Sequence, residues 1–431
     1  MNEKNFKQAT LALHAGFDGD PATNSCAVPI YSTSSYLFDS TEHAANLFSL
    51  KEFGNIYSRL GNPTVDVFEK RVAALDGGVG ALAFASGMAA ITATICTLAH
   101  AGENIAASTS LYGGTVTLFN CTLAKLGIKV NFFDPDDLES LKNIINNKTR
   151  AVFIESIGNP KNDIPDCKAI SSIAHDAGIP LVVDNTVLTP IQFRPIDHGA
   201  DIVVYSATKY LGGHGTHVGG VIVDSGSFIW ANDPDKWPEF CKPDPSYHGL
   251  VFTEALASIG NIAFIIHVRT HWLRDTGACL SPWAAFLLLQ GIETLHLRVP
   301  RHIENANIVA SYLADHAKVL SVNHPSLKTH PHQSRATEVL KYPGSPIVGF
   351  EVKGGIKAGS ALIDNVKLAR HLANIGDAKT LIIHPASTTH QQLGEEEQLK
   401  AGVSPGYIRL CVGIEDVNDI IADLEQALLA I

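Results

Sequence analysis

A carboxylate and an amine stand at matching points of two apolar runs. Leu181-Val182-Val183 leads straight into Asp184, and the run Ile202–Tyr205 leads into Ser206-Ala207-Thr208-Lys209. In open α/β sheets ligands bind beyond the carboxyl ends of the strands. Both side chains therefore fall at one edge of one sheet. A lysine amine placed there can form an imine with an aldehyde. An aspartate can keep a pyridine nitrogen protonated, which turns the ring into an electron sink. Pyridoxal phosphate needs that pair. Taken alone, the two residues equally suit an ordinary aspartate and a surface lysine at strand ends.

Two further segments offer partners for such a cofactor. Ala83-Phe84-Ala85-Ser86-Gly87-Met88-Ala89-Ala90 passes from a strand into a helix through small residues. Free amides at a helix N-terminus attract a phosphate dianion, and Ser206 and Thr208 add hydroxyls. The segment is neither a Walker A loop nor a GxGxxG, and a tight turn needing glycine only for packing reads the same way. Tyr112, in Ser110-Leu111-Tyr112-Gly113-Gly114-Thr115, follows the apolar run Asn104–Ala107. Its ring can stack on a flat cofactor or simply close a turn.

The elements that must hold these residues are legible as period and run length. Apolar runs at Leu82–Ala85, Asn104–Ala107, Val130–Phe133, Ala151–Glu155, Leu181–Val183, Ile202–Tyr205 and Gly219–Val223 alternate with helical stretches such as Asp166–Ala177. Runs that are apolar throughout are expected of strands covered on both faces. Strand–helix alternation predicts a mostly parallel sheet in an α/β domain. Ala231–Gly249, rich in Pro, Asp and Trp, reads as a long loop. Beyond about residue 255 come long helical patterns, then strands near Val319–Val322, Ile347–Val352, Leu381–Ile383 and Tyr407–Val412, and a last amphipathic helix Asp416–Ala430. The expected layout is an N-terminal arm over 1–58, an α/β cofactor domain over 59–260 and a smaller α+β domain over 261–431.

The 431 residues include 45% hydrophobic and 17% charged, ample for two or three cores and far from the composition of a disordered chain. A formal net charge of -11 argues against nucleic acid or an anionic membrane as partner. The polar start, Met1 to Gln8, has no signal-peptide pattern, and no apolar run reaches the ~18–20 residues of a span. Seven scattered cysteines without CxxC read as reduced, buried thiols of a cytoplasmic protein.

Six segments occur in an order that resembles the Cys/Met-metabolism pyridoxal-phosphate enzymes. They are Tyr57-Ser58-Arg59-Leu60-Gly61-Asn62-Pro63-Thr64, Ser86-Gly87-Met88-Ala89, Leu111-Tyr112-Gly113, Gly158-Asn159-Pro160, Val183-Asp184-Asn185-Thr186 and Ser206-Ala207-Thr208-Lys209-Tyr210. The resemblance covers nearly the whole chain. It implies a fold-type I pyridoxal-phosphate transferase. Lys209 then holds the cofactor and moves protons, Asp184 pairs with the ring nitrogen, Tyr112 stacks on the ring, and Asn159 meets its hydroxyl. Gly87, Met88, Ser206 and Thr208 hold the phosphate. Tyr57 and Arg59 reach the cofactor of a neighbouring subunit, which implies a homotetramer built from dimers. Arg409 binds the substrate carboxylate.

Within the family, Asn374 through Leu393 and the loop Pro243–Gly249 are similar to the O-acetylhomoserine sulfhydrylase subgroup. Lyases and cystathionine γ-synthase usually carry Ser at the place of Asn374, and methionine γ-lyase carries Cys at the place of Gly114. The resemblance thus implies small-molecule substrates, O-acetylhomoserine and sulfide, with Asn374 and Arg409 lining the substrate. O-succinylhomoserine sulfhydrylase, cystathionine γ-synthase and methionine γ-lyase are the alternatives. No metal is expected. His324, His330 and His332 lie close together in a Pro-rich stretch, but their spacing suits a surface loop better than a metal site. His214 and His217 flank Lys209 in a Gly-rich turn. Glu395-Glu396-Glu397 reads as a solvated loop or helix start.

Overall fold

Seven short strands pair into one sheet: β1 (Gly80–Phe84), β2 (Asn104–Ser108), β3 (Lys129–Phe133), β4 (Thr149–Glu155), β5 (Leu181–Asp184), β6 (Ile202–Ser206) and β7 (Gly220–Asp224). This computed structural model describes residues 6–388, 391, 394 and 402–431. The strand order is β1-β7-β6-β5-β4-β2-β3. Pairing is parallel from β6 through β3, and β7 is antiparallel to both β1 and β6. The central strands β2, β5 and β7 are buried along their whole length. That explains why they stood out as unbroken apolar runs.

The connecting helices start and stop where local chemistry dictates. Ser86 caps Gly87–Leu98, its hydroxyl accepting from the Ala89 amide at 3.1 Å. Asp166 caps Cys167–Asp176 through the Ala169 amide at 3.0 Å. Each such cap satisfies an amide that the helix itself cannot.

A second sheet follows: β8 (Val319–Asn323), β9 (Ile347–Val352), β10 (Arg370–His371), β11 (Leu381–Ile383) and β12 (Tyr407–Cys411), in the order β10-β11-β12-β9-β8. Val417–Leu429 covers it, burying Ile420, Leu424, Ala427 and Leu428. The apolar packing divides later than the 261 expected from sequence. Ala263, Phe264, Leu288, Leu289, Ile292, Val299 and Ile303 all belong to the larger core. The smaller core begins at Ala306, in the middle of the helix Leu295–Ala314. Helical residues around 261 look alike from either side of a domain border, so periodicity could not place it.

Two local expectations are corrected. The Pro-rich histidine stretch is not a surface loop: His324 is fully buried, and its Nε2 meets the Ser345 carbonyl at 2.8 Å. His332 accepts from the Ile164 amide at 2.8 Å and faces Asp136 at 3.0 Å. Those partners are distant in sequence, so no local pattern announced them. All seven cysteines are free, but Cys26 and Cys121 are exposed rather than buried. The long loop is pinned by Asp244, whose carboxylate meets His271 at 2.9 Å. Glu395–Glu397 lie outside the described residues, as do Thr389, His390, Gln392 and Leu393 of the segment beginning at Asn374. Among the described residues no helix is long and apolar enough to cross a membrane.

Candidate active site

In-register residues of parallel strands share a face. The β4–β5 ladder pairs Glu155 with Asp184, so two carboxyls end neighbouring strands at one edge, and both are buried. Loss of water pushes the Asp184 carboxyl up to about 6. Burial carries Glu155 well above the ordinary carboxylate range, and the neighbouring Asp184 charge adds to the shift. The Thr186 amide donates to Asp184 Oδ1 at 2.9 Å. The Thr186 hydroxyl accepts from the Ser206 amide at 2.8 Å. This short relay fixes the end of β5 against the end of β6.

β6 delivers the lysine through a tight turn. The Lys209 amide donates to the Ser206 carbonyl at 3.2 Å, and the Gly219 amide donates to Thr208 Oγ1 at 3.0 Å. Lys209 Nζ donates to Asn374 Oδ1. Burial lowers its pKa, with the Arg409 charge assisting. A lysine relieved of its proton is the nucleophilic form. The turn is braced from behind by buried Arg298, whose guanidinium donates to the carbonyls of Tyr210 at 2.9 Å, Leu211 at 3.2 Å and Gly291 at 2.6 Å. On the other side Gly376 has φ +75°, and a Cβ there would lie 2.8 Å from Lys209 Cα. Only glycine combines that left-handed backbone with so close an approach.

The second sheet contributes Arg409 from β12. Nη1 reaches Asn159 Oδ1 and Nη2 reaches the Asn374 carbonyl, both at 3.4 Å. Among the described residues, the buried Nε has no partner. Hydrogen bonds this long are weak, so the fork stays open to a carboxylate, which it can grip bidentately. Lys209, Asn374, Arg409 and Asn159 therefore form one contiguous group drawn from both sheets.

The candidate phosphate cradle lies beside β6. A Cβ on Gly87 would sit 2.7 Å from Ser206 Cβ, so the helix start and the strand end touch. The amides of Gly87 and Met88 open the helix, where no intrahelical acceptor exists for them. With the hydroxyls of Ser206 and Thr208 alongside, they make a site for a dianion. Tyr112 follows β2, its ring 52% exposed and its amide donating to Glu155. The ring rests on Gly114, where a Cβ would come within 2.4 Å of Tyr112 Cε1. Any side chain at 114 would displace it.

Tyr57 and Arg59 make a different set of contacts. Arg59 lies 5.4 Å over the Tyr57 ring and donates to the Arg274 carbonyl. His214 turns back on its own loop, Nδ1 to the Gly212 carbonyl at 2.7 Å. Two contributors were missed in the sequence. Glu155 carried a signal, since its strand was recognised and ends in a carboxylate just as β5 does. Arg298 carried none, because its partners in the lysine turn lie 87 and 88 residues away.

The residues present suit pyridoxal phosphate. A poised amine, a buried carboxyl on the neighbouring strand and a helix-start cradle occupy one edge. A profile described as Cys/Met metabolism PLP-dependent enzyme matches residues 9–429. The O-acetyl-L-homoserine sulfhydrylase of Leptospira meyeri is 53% identical, over 99% of this chain and 97% of its own. The homocysteine synthase of Schizosaccharomyces pombe is 51% identical over 97% of each. A solved Campylobacter jejuni structure, assigned as an O-acetylhomoserine (thiol)-lyase and carrying N'-pyridoxyl-lysine-5'-monophosphate, superposes with a TM-score of 0.93. It is 42% identical, over 98% of this chain and 100% of that one.

Proposed function

The chain belongs to the Cys/Met-metabolism PLP-dependent enzymes, and from that premise we propose that it catalyses γ-replacement on an activated homoserine. O-acetylhomoserine and sulfide are converted to homocysteine and acetate. The full-length likeness to sulfhydrylases of this type supports the substrate. One structural observation carries the chemistry: Lys209, Asn374 and Arg409 meet just beyond the strands that end in Asp184 and Ser206.

Pyridoxal phosphate, once bound, supplies an electron sink that makes the α- and β-protons of the amino acid removable. The chain supplies everything else. Lys209 is the attachment point, and its Nζ, freed by incoming substrate, ferries protons between the substrate carbons. Asp184 would pair with the ring nitrogen. A cation there would offset the burial that raises its pKa, so the carboxyl would ionise and keep the ring protonated. The Tyr112 ring would cover one face, with Gly114 leaving it room. Asn159 would meet the ring hydroxyl. Gly87, Met88, Ser206 and Thr208 would hold the phosphate. Arg409 would grip the substrate carboxylate, and Asn374, which accepts from both Lys209 and Arg409, would fix the reacting carbon relative to Lys209.

The working unit is a homotetramer built from dimers, with Tyr57 and Arg59 lent to the partner's cofactor phosphate. The arm supports this, because Leu37 is 98% exposed and Phe38, Phe48, Phe53 and Tyr57 are also exposed. A run of that kind marks a surface meant to be covered. We place the enzyme in the cytoplasm, where its free thiols stay reduced.

Purified protein given O-acetylhomoserine and sulfide should release homocysteine and acetate. Release of ketobutyrate and methanethiol from methionine, without homocysteine formation, would sink this reading. The O-succinyl ester and cysteine, run in the same panel, separate the remaining siblings.

A further inference from the structure

Neither the cofactor anchor nor the phosphate cradle uses Glu155, yet its carboxyl is buried at the same strand edge. Burying a carboxyl without donors is costly. Here the donors are backbone amides. Tyr112 donates to Oε1, and the Asn159 amide acts in the same sense, working against the burial that raises the carboxyl's pKa. Those two residues follow different strands, β2 and β4, and both were assigned above to the cofactor ring. Resting on that assignment, we propose that Glu155 is a positioning residue for the ring, tying the Tyr112 segment to the end of β4.

The local sequence explains why a tie is needed. Tyr112 is followed by Gly113-Gly114, the most pliant pair available. The residue is 52% exposed, so side chains of its own chain do little to hold it. The ring rests on Gly114, which has no side chain to grip it. Its placement therefore comes from its backbone, and the backbone is held at Glu155. Asn159 follows Gly158, where a Cβ would collide with Asp163 Oδ1 at 2.0 Å. A second carboxyl, Asp163, thus backs the same segment, and Ser110 Cβ, just upstream of Tyr112, would lie 3.2 Å from that same Cβ. Glu155, at the end of β4, thus joins the Tyr112 loop to the strand from which Asn159 follows.

The test uses holoenzyme and apoenzyme of the full chain, with Glu155→Ala, Glu155→Gln and Glu155→Asp. Three quantities are read: the cofactor dissociation constant, the circular dichroism of the bound cofactor's visible band at saturation, and kcat against KM for O-acetylhomoserine. Glu155→Ala should weaken cofactor binding by roughly tenfold, as for one lost backbone hydrogen bond. It should also diminish the visible dichroism at full occupancy and lower kcat with little change in KM. Glu155→Gln keeps an acceptor oxygen at the same reach and should restore most of the dichroism. Glu155→Asp keeps the carboxyl but not the reach, and should resemble Ala. If Ala fails to fold, the Gln and Asp pair decides alone. Wild-type dichroism and affinity in both Ala and Asp, or in Asp alone if Ala is lost, would overturn the proposal. A wild-type protein that binds no pyridoxal phosphate would instead overturn the cofactor assignment, which the same titration detects separately.

Discussion

The carboxyl edge of the large sheet and the N-terminal arm both supply residues assigned to one site, and they are built in opposite ways. At the sheet edge Asp184, Glu155, Ser206 and Lys209 are fixed by strand register, turn hydrogen bonds and the Arg298 brace. In the arm Tyr57 is exposed, and Arg59 leans on its ring and on a single carbonyl. The difference teaches that one chain holds a nearly finished site and an unfinished one. The edge is organised by its own chain, whereas the arm has residues to offer and nothing of its own to offer them to.

The sharpest way to break that comparison is at the edge. Lys209→Ala should cut steady-state turnover by on the order of 10³-fold or more, the range lost with a group that moves protons in the reaction. The apoenzyme's melting point should stay close to wild type. Retained turnover would remove Lys209 from the centre of the site. Arg409→Ala comes next. Losing one charge-assisted grip of roughly 2–4 kcal/mol should raise KM for O-acetylhomoserine about 30- to 700-fold, with a smaller change in kcat. An unmoved KM would take Arg409 out of substrate binding.

The arm is tested by mixing. Arg59→Ala and Lys209→Ala chains, each nearly inactive alone, should regain about a quarter of wild-type activity once unfolded together and refolded at equal amounts. That fraction follows from half the dimers being mixed, each carrying one intact site. No recovery would mean the arm serves its own chain. The smallest effect concerns pH. The folded-state pKa of Asp184 lies above its unfolded value, near 6 against 3.8. Its contribution to apoenzyme stability is therefore complete below about pH 4 and is lost as pH rises through 6. The loss is about 3 kcal/mol at most, from the shift between the two values. Melting curves of apoenzyme across that window should slope downward, and Asp184→Asn should flatten the slope. An identical slope in both would show that other buried carboxyls, such as Asp76, govern it.

Much of the edge was readable because parallel strands covered on both faces leave unbroken apolar runs, and a polar residue that ends such a run stands out. Asp184 and Lys209 were found that way. Glu155 obeys the same rule, but its strand was read only as an element and not for what ended it. The arm was recognised as a stretch with no core of its own, and the roles of Tyr57 and Arg59 through the ordered motifs alone. What stayed hidden was long-range: Arg298 under the Lys209 turn, the depth of His324, and the border between cores. Each depends on contacts between segments apart in sequence, 21 residues for His324 and Ser345 and 87 for Arg298 and Leu211, which neither period nor propensity encodes.

The helix Leu295–Ala314 gives Leu295, Val299 and Ile303 to one core and Ala306, Val309, Ala310 and Leu313 to the other. At 20 residues it is a rod of about 30 Å, with Arg298 at one end bracing the catalytic turn. Seen as an engineering part, it leaves no clean place to saw the protein in two. A cut before it strips the larger core of part of its lining, and a cut after it does the same to the smaller. Shuffling halves between relatives would have to carry this rod whole and match it to both neighbours at once. The two domains have in effect been inherited as a single piece.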